Sequence, residues 1–165
     1  EKGHAVFKLA AEIEDWSLAA QSCEIIYSGE KDDTLPALGM GIWLSVTYPI
    51  DPQISIALLE HIVDETPEDS DGAAVAAATG HYLADVRAEG KTRDDLLFYT
   101  SQLLARVARR HSNIENQEQF NFWVEKMELN DPAKFLIRLR NVIDVLVQDE
   151  WWFDRDELQA KLPVH

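Results

Sequence analysis

Apolar residues recur at steps of three and four along most of this chain, and this spacing gathers them on one side of an α-helix. Two of these stretches follow an Asp-Pro pair, Asp51-Pro52 and Asp131-Pro132. Aspartate caps a first helical turn with its side chain, and proline fits the first helical position because no backbone N–H is needed there. We therefore predict an all-α protein, a compact bundle of about seven to nine helices.

The first apolar stripe runs from Ala5 to about Tyr27. It predicts a continuous helix, but Asp15 and Ser17 are also capping residues, so a helical hairpin is the alternative. The stripe consists of Val6, Leu9, Ile13, Trp16, Ala20, Cys23 and Tyr27.

Turn-forming residues at 29–33 and at 66–72 separate further helical stretches. Between these turns, Gly39 and Gly41 weaken the helix prediction for 34–48, so a strand at Val46–Tyr48 is the alternative there. Helices are predicted over 34–48, 52–65, 73–88, from Thr92 to His111, around 120–127, over 132–147 and between Asp154 and Pro163.

Two local patterns refine these predictions. Thr92 with Asp95 three residues later resembles a capping box and predicts a helix start at Thr92. The stretch after residue 72 carries a face of small residues that would let another helix approach closely. That face comprises Ala73, Ala76, Ala77, Gly80 and Ala84.

The length suits a single helical domain over 1–165, with a subdivision near the loop 66–72 as the alternative. A short α-solenoid of helical hairpins is the alternative architecture. It rests on Trp16, Ala19 and Cys23, which have the aromatic–small–apolar spacing of tetratricopeptide-like hairpins, and on Ile54 and Ala57, which repeat its first two positions. The other landmarks of such repeats are missing, so this spacing identifies no family.

The formal charge of −15 is concentrated in the first part of the chain. Residues 1–71 carry fifteen acids against three lysines, a net of −12, whereas residues 72–165 carry fifteen acids against twelve cations, a net of −3. This distribution argues against direct binding to nucleic acid or to an anionic membrane, because both reward clustered cations. It favours solubility or a partner with a basic surface.

Histidines at 61 and 81 have carboxylates at helical spacing. Imidazole and carboxylate on one helix face suit a first-row metal ion, although a packing role is the simpler interpretation of both histidines. The residues of this alternative metal site are His61, Asp64, Glu65, His81 and Asp85.

Cys23 is the only cysteine, so an internal disulfide is excluded, and its place on an apolar stripe predicts an inert, buried thiol. Trp151, Trp152 and Phe153 are consecutive and cannot all face one core. Either they close the C-terminal segment onto the bundle, or an exposed tryptophan anchors a partner.

Known catalytic and phosphate-binding motifs are missing from the sequence, and no cofactor is predicted. We expect a non-enzymatic, cytoplasmic protein-binding domain, such as a regulatory adaptor, inhibitor or immunity-type protein, without a membrane span. The alternatives are a helical metal-dependent enzyme and a structural subunit that self-associates into a homo-oligomer. The predicted partner-binding residues are Glu60, Asp64, Glu65, Glu68, Asp69, Asp71, Trp151 and Trp152.

Overall fold

A computed structural model describes residues 2–29 and 34–162, and within these ranges the chain forms nine helices and no strand. The prediction of a compact all-α fold with seven to nine helices is confirmed. Residues 30–33 of the predicted turn at 29–33 lie outside the described ranges. The last helix ends at Ala160, before Pro163 as predicted. The helices are α1 (Lys2–Glu12), α2 (Trp16–Ser28), α3 (Thr34–Thr47), α4 (Pro52–Glu65), α5 (Asp71–Arg87), α6 (Gly90–Ser112), α7 (Gln117–Lys126), α8 (Pro132–Val147) and α9 (Arg155–Ala160).

The first stripe forms a helical hairpin and not one continuous helix. Glu14 takes a left-handed backbone conformation, and the side chain of Asp15 accepts a hydrogen bond from the backbone N–H of Leu18 at 3.1 Å, which caps α2. Helix α1 buries Phe7 and Ala10, whereas the stripe residues Val6, Leu9 and Ile13 are exposed.

Helix α3 lies in the centre of the fold and packs against α2, α4 and α8. It is buried from Pro36 to Ser45 and extends to Thr47, so the alternative of a strand at Val46–Tyr48 was wrong. The two glycines that weakened the helix prediction allow close helix packing. A Cβ on Gly39 would meet the side chains of Val147 and Leu146, and a Cβ on Gly41 would lie 2.9 Å from the Cβ of Cys23.

Cys23 itself is fully buried. Burial raises the pKa of its thiol far above the ordinary value, so the reactive thiolate is not populated near neutral pH. The predicted burial of Cys23 is therefore confirmed.

The small-residue helix α5 packs against α4, α6 and α8. Its residues from Ala73 to Gly80 are all buried, so the small side chains serve helix packing as predicted. The helix starts earlier than expected because the hydroxyl of Ser70 accepts a hydrogen bond from the N–H of Gly72 at 3.1 Å. The predicted loop 66–72 is thus shortened to 66–70, and the proposed subdivision at this loop stays a prediction.

The predicted capping box at Thr92 was wrong. Helix α6 begins at Gly90, preceded by Glu89, which makes no capping bond with its side chain. Gly90 has a φ of 60°, a conformation that glycine adopts without steric cost, and this lets the chain reverse over Ala88 and Glu89 alone.

The C-terminal part follows the predictions closely. Asp131 and Asp154 cap α8 and α9 with their side chains. None of the helices in the described part of the chain is both long and apolar enough to cross a membrane.

Candidate functional site

Helix α4 places a row of carboxylates on the surface of the N-terminal half. Asp51 caps the helix by accepting a hydrogen bond from the N–H of Gln53 at 2.9 Å. The apolar face of α4 is buried, so Glu60, Asp64 and Glu65 point away from the core. The sequence pattern alone therefore determines which way these acids face.

These three carboxylates are held by side chains from other helices. Tyr99 on α6 donates a hydrogen bond from its hydroxyl to Glu60, and Tyr27 on α2 donates one to Glu65. Nη2 of Arg106 lies 3.6 Å from Asp64 and 3.9 Å from Glu60. The acids are therefore oriented by side chains of the same chain.

The hydroxyls of Tyr27 and Tyr99 stay protonated at neutral pH and therefore remain hydrogen-bond donors. Burial raises the pKa of Tyr27, and the hydrogen bond and charge of Glu65 raise it further. The hydrogen bond to Glu60 raises the pKa of Tyr99. Both hydroxyls thus keep their protons and continue to orient the carboxylates.

The loop that follows α4 extends the acidic region. Glu68 and Asp69 are exposed in this loop. Asp71 begins α5, and its Oδ1 accepts a hydrogen bond from Nε2 of His111 at 2.8 Å, while Nη2 of Arg138 lies 3.9 Å from its Oδ2. Asp71 is nevertheless largely exposed, so it is oriented and accessible at once.

Glu24 on α2 joins this region because its Oε1 lies 3.5 Å from Nε2 of His61 on α4. Arg106, Arg138 and Arg110, whose Nη2 donates to the carbonyl of Val63 at 3.5 Å, are the arginines that contact the region. Seven carboxylates against three arginines leave it negative. We call the following residues the acidic surface: Glu24, Glu60, Asp64, Glu65, Glu68, Asp69 and Asp71.

The residues of the alternative metal site have separate partners. His61 contacts Glu24, and its ring lies 4.7 Å from that of Tyr27 at a tilt of 48°, whereas Nδ1 of His81 lies 2.8 Å from the hydroxyl of Thr100. Asp85 pairs with Arg93. Over residues 2–29 and 34–162, no group of three or more His, Cys, Asp and Glu side chains is placed to hold a metal ion.

The two predicted anchor tryptophans pack within the chain. The ring of Trp152 lies 4.5 Å from that of His4 and 5.1 Å from that of Phe7, both on α1. Trp151 meets Trp43 of α3 edge to face, and the guanidinium of Arg155 lies 3.9 Å above its ring. Both tryptophans are half-buried, and they close the C-terminal segment onto α1 and α3.

A second surface of the N-terminal half was missed by sequence reasoning. Val6 and Leu9 on α1 are exposed, together with Ile13 in the turn that follows α1 and Ile25 on α2. The apolar spacing placed Val6, Leu9 and Ile13 on one stripe and did not predict their exposure. Phe7 and Ala10 form a second apolar stripe on α1. Together with the helical hairpin at Asp15, this stripe would have predicted that Val6, Leu9 and Ile13 are exposed.

No family model, curated protein or solved structure matches this chain. The comparisons therefore assign no role to the acidic surface or to the exposed side chains of α1 and α2.

Proposed function

We propose that this chain is a non-enzymatic, cytoplasmic binding protein, of the regulatory adaptor, inhibitor or immunity type, whose acidic surface binds a protein with a basic surface. The observation that carries the proposal is the fixation of exposed carboxylates by the chain's own side chains. Asp64, Glu65 and Asp71 are each oriented by an intramolecular contact and are exposed to solvent.

Fixation matters because an ion pair between two free surface side chains contributes little. Ordering both side chains costs conformational entropy that offsets most of the Coulomb attraction. On this chain one partner of each pair is already ordered. Each new ion pair with a lysine or arginine of the partner would therefore contribute more to the free energy of binding, because less conformational entropy is lost.

Long-range attraction supports the same partner class. The net charge of −12 over residues 1–71 produces a negative field that attracts cations and repels phosphate backbones. A field of this kind raises the association rate of a basic protein and makes binding sensitive to salt.

The test uses a fluorescein-labelled deca-lysine peptide as a probe that carries charge but no apolar side chains. A surface variant combines Asp64→Asn, Glu65→Gln, Glu68→Gln and Asp69→Asn. A control variant makes the same change in net charge with Asp94→Asn, Glu118→Gln, Glu125→Gln and Glu150→Gln, all at exposed sites.

Fluorescence anisotropy should show that the surface variant binds the probe roughly tenfold more weakly than the unmodified protein, whereas the control variant loses much less. Raising the salt from about 0.1 M to about 1 M shortens the Debye length from about 10 Å to about 3 Å and should abolish the difference. Equal losses in the two variants would mean that only total charge matters, and the proposal would be rejected.

A further inference from the structure

Helices α1 and α2 form an open apolar groove on the surface. Val6 from α1 and Leu18 and Ile25 from α2 line a cavity of about 620 Å³. The carboxylate-bearing side chain of Glu24 forms part of the same wall. We call this cavity, with the exposed apolar residues beside it, the α1–α2 groove.

The apolar surface continues along α1 beyond the cavity. Leu9 follows Val6 on α1 after three residues. Ile13, one residue beyond the end of α1, continues this row, because its N–H donates to the carbonyl of Leu9 at 3.1 Å. The side chains are exposed by 38% at Val6, 60% at Leu9, 71% at Ile13 and 65% at Ile25. A contiguous exposed row of this kind marks an interaction site, unlike single apolar residues scattered over a surface.

The exposure of the outer row on α1 does not result from loose packing of this helix. Its opposite side buries Phe7 and Ala10, and Phe7 contacts both Trp152 and Phe153. On the side of α2, a Cβ on Gly3 would lie within 3.2 Å of Ile26, so the two helices are in close contact. The outer row is therefore held in place as a formed surface.

The charges beside the groove determine what can cover it. Glu24 belongs to the groove wall and to the acidic surface, through its contact with His61. Glu14 is exposed in the turn that follows Ile13, at the far end of the row. Lys8 and Glu12, in contrast, line the cavity on the other side of α1, next to Trp152.

A second copy of this chain is a poor occupant of the groove, because it would bring two acidic surfaces together and like charges repel. A basic segment is favoured by the same charges. A helix with one apolar side has anchors at steps of three and four that match the row on α1, and it can carry cations along its edges.

We infer that the α1–α2 groove binds an amphipathic helix of a partner protein, with the cationic edge of that helix against Glu24 and the acidic surface. The inference rests on the proposed function, to which it adds the form of the partner's binding segment. The apolar row supplies affinity through burial, and the acidic surface sets the orientation of the helix.

The probe for this inference is a fluorescein-labelled peptide of fourteen residues, made of leucines at helical spacing with lysines at all other positions. Groove variants are Leu9→Gln, Ile13→Gln and Ile25→Gln. Matched control variants on α8 are Ile137→Gln and Val145→Gln, at side chains that are 61% and 71% exposed. None of these substitutions changes the net charge.

Each groove variant should weaken binding of the leucine–lysine peptide at least about fivefold, because a leucine or isoleucine loses its apolar contact. The control variants should bind like the unmodified protein. Deca-lysine should bind all five variants equally, since it has no apolar side chain to place in the groove.

The two proposals fail in different ways. If the surface variant loses affinity for both peptides while the groove variants lose affinity for neither, the groove inference is overturned and the proposed function stands. If the surface variant binds deca-lysine as tightly as its charge-matched control, the proposed function fails. Groove-dependent binding to vesicles of zwitterionic phosphatidylcholine, which have no net charge, without binding to the peptide would also overturn the inference, in favour of a lipid surface.

Discussion

The hydroxyl of Tyr27 on α2 donates a hydrogen bond to the carboxylate of Glu65, the last residue of α4. This contact fixes the exposed carboxylate of Glu65. Its donor, Tyr27, lies on α2, and α2 also forms one wall of the α1–α2 groove. The orientation of Glu65 therefore depends on a side chain of α2. The effect of this orientation on binding can be measured by removing the hydroxyl of Tyr27.

Removing this hydroxyl should weaken binding without changing any charge. In Tyr27→Phe, Glu65 regains rotational freedom, and ordering it again on binding costs about 0.5–1.5 kcal/mol. We expect a loss of deca-lysine affinity of roughly twofold or more, measured by fluorescence anisotropy. Tyr48→Phe is the control, because the ring of Tyr48 stacks on Trp16 and lies within the bundle. Equal affinity in the two variants would show that fixation of Glu65 contributes nothing.

Trp152 should stabilise α1 rather than contact a partner. Its ring packs on His4 and Phe7, so Trp152→Ala removes contacts that hold the N-terminal helix. We expect a loss of about 1–3 kcal/mol in the free energy of unfolding, less than for a fully buried tryptophan, and faster amide hydrogen exchange within α1. Phe122→Ala is the control, since Phe122 is exposed and should change neither quantity. Unaltered exchange in α1 after the Trp152 substitution would contradict the structural role.

The sequence predicted most helices because capping residues and apolar spacing are local. Asp51, Asp131 and Asp154 each cap the helix that they were expected to begin. The prediction failed on α1, where two sides of the helix are apolar and spacing alone does not say which one meets α2. The turn at Glu14 decides between them, and a left-handed glutamate has no strong signal in the sequence.

The candidate site was predictable only in part. Helical periodicity places Glu60 and Asp64 on the outer side of α4, and the structure agrees. The residues that orient these acids, Tyr99 and Arg106, lie on α6, far along the chain. Local patterns do not determine which helices meet, so those partners could not have been named from the sequence.

Close packing of α3 against α8 should make Gly39 intolerant of a side chain. In Gly39→Ala the new Cβ would collide with Val147 and lie 3.1 Å from the Cβ of Leu146. We expect a loss of about 1–3 kcal/mol in the free energy of unfolding, measured with urea. Gly80→Ala is a matched control within a helix, because a Cβ there meets nothing closer than 3.8 Å. It should be neutral or stabilising by up to about 1 kcal/mol, since alanine favours the helix. The same sign for both variants would contradict the packing described for α3.

His81 should make the stability of the fold depend on pH. Burial lowers the pKa of His81 below its ordinary value, opposed in part by the charge of Asp85. The folded state therefore prefers the neutral imidazole, whose Nδ1 lies 2.8 Å from the hydroxyl of Thr100. Because the pKa is lower in the folded state than in the unfolded chain, this stabilisation is complete above the unfolded pKa of about 6.5. It is lost as the pH falls through that value towards the folded pKa.

Urea unfolding at about pH 7.5 and about pH 5.5 brackets the unfolded pKa of histidine and tests this dependence. His81→Gln keeps a polar side chain but cannot be protonated, so its free energy of unfolding should fall less between the two pH values. Thr100→Val removes the hydrogen bond but keeps the buried imidazole, and because burial is the larger cause of the shift it should retain most of the original fall. If His81→Gln showed the same pH dependence as the unmodified protein, another group would be responsible and the lowered pKa of His81 would be refuted.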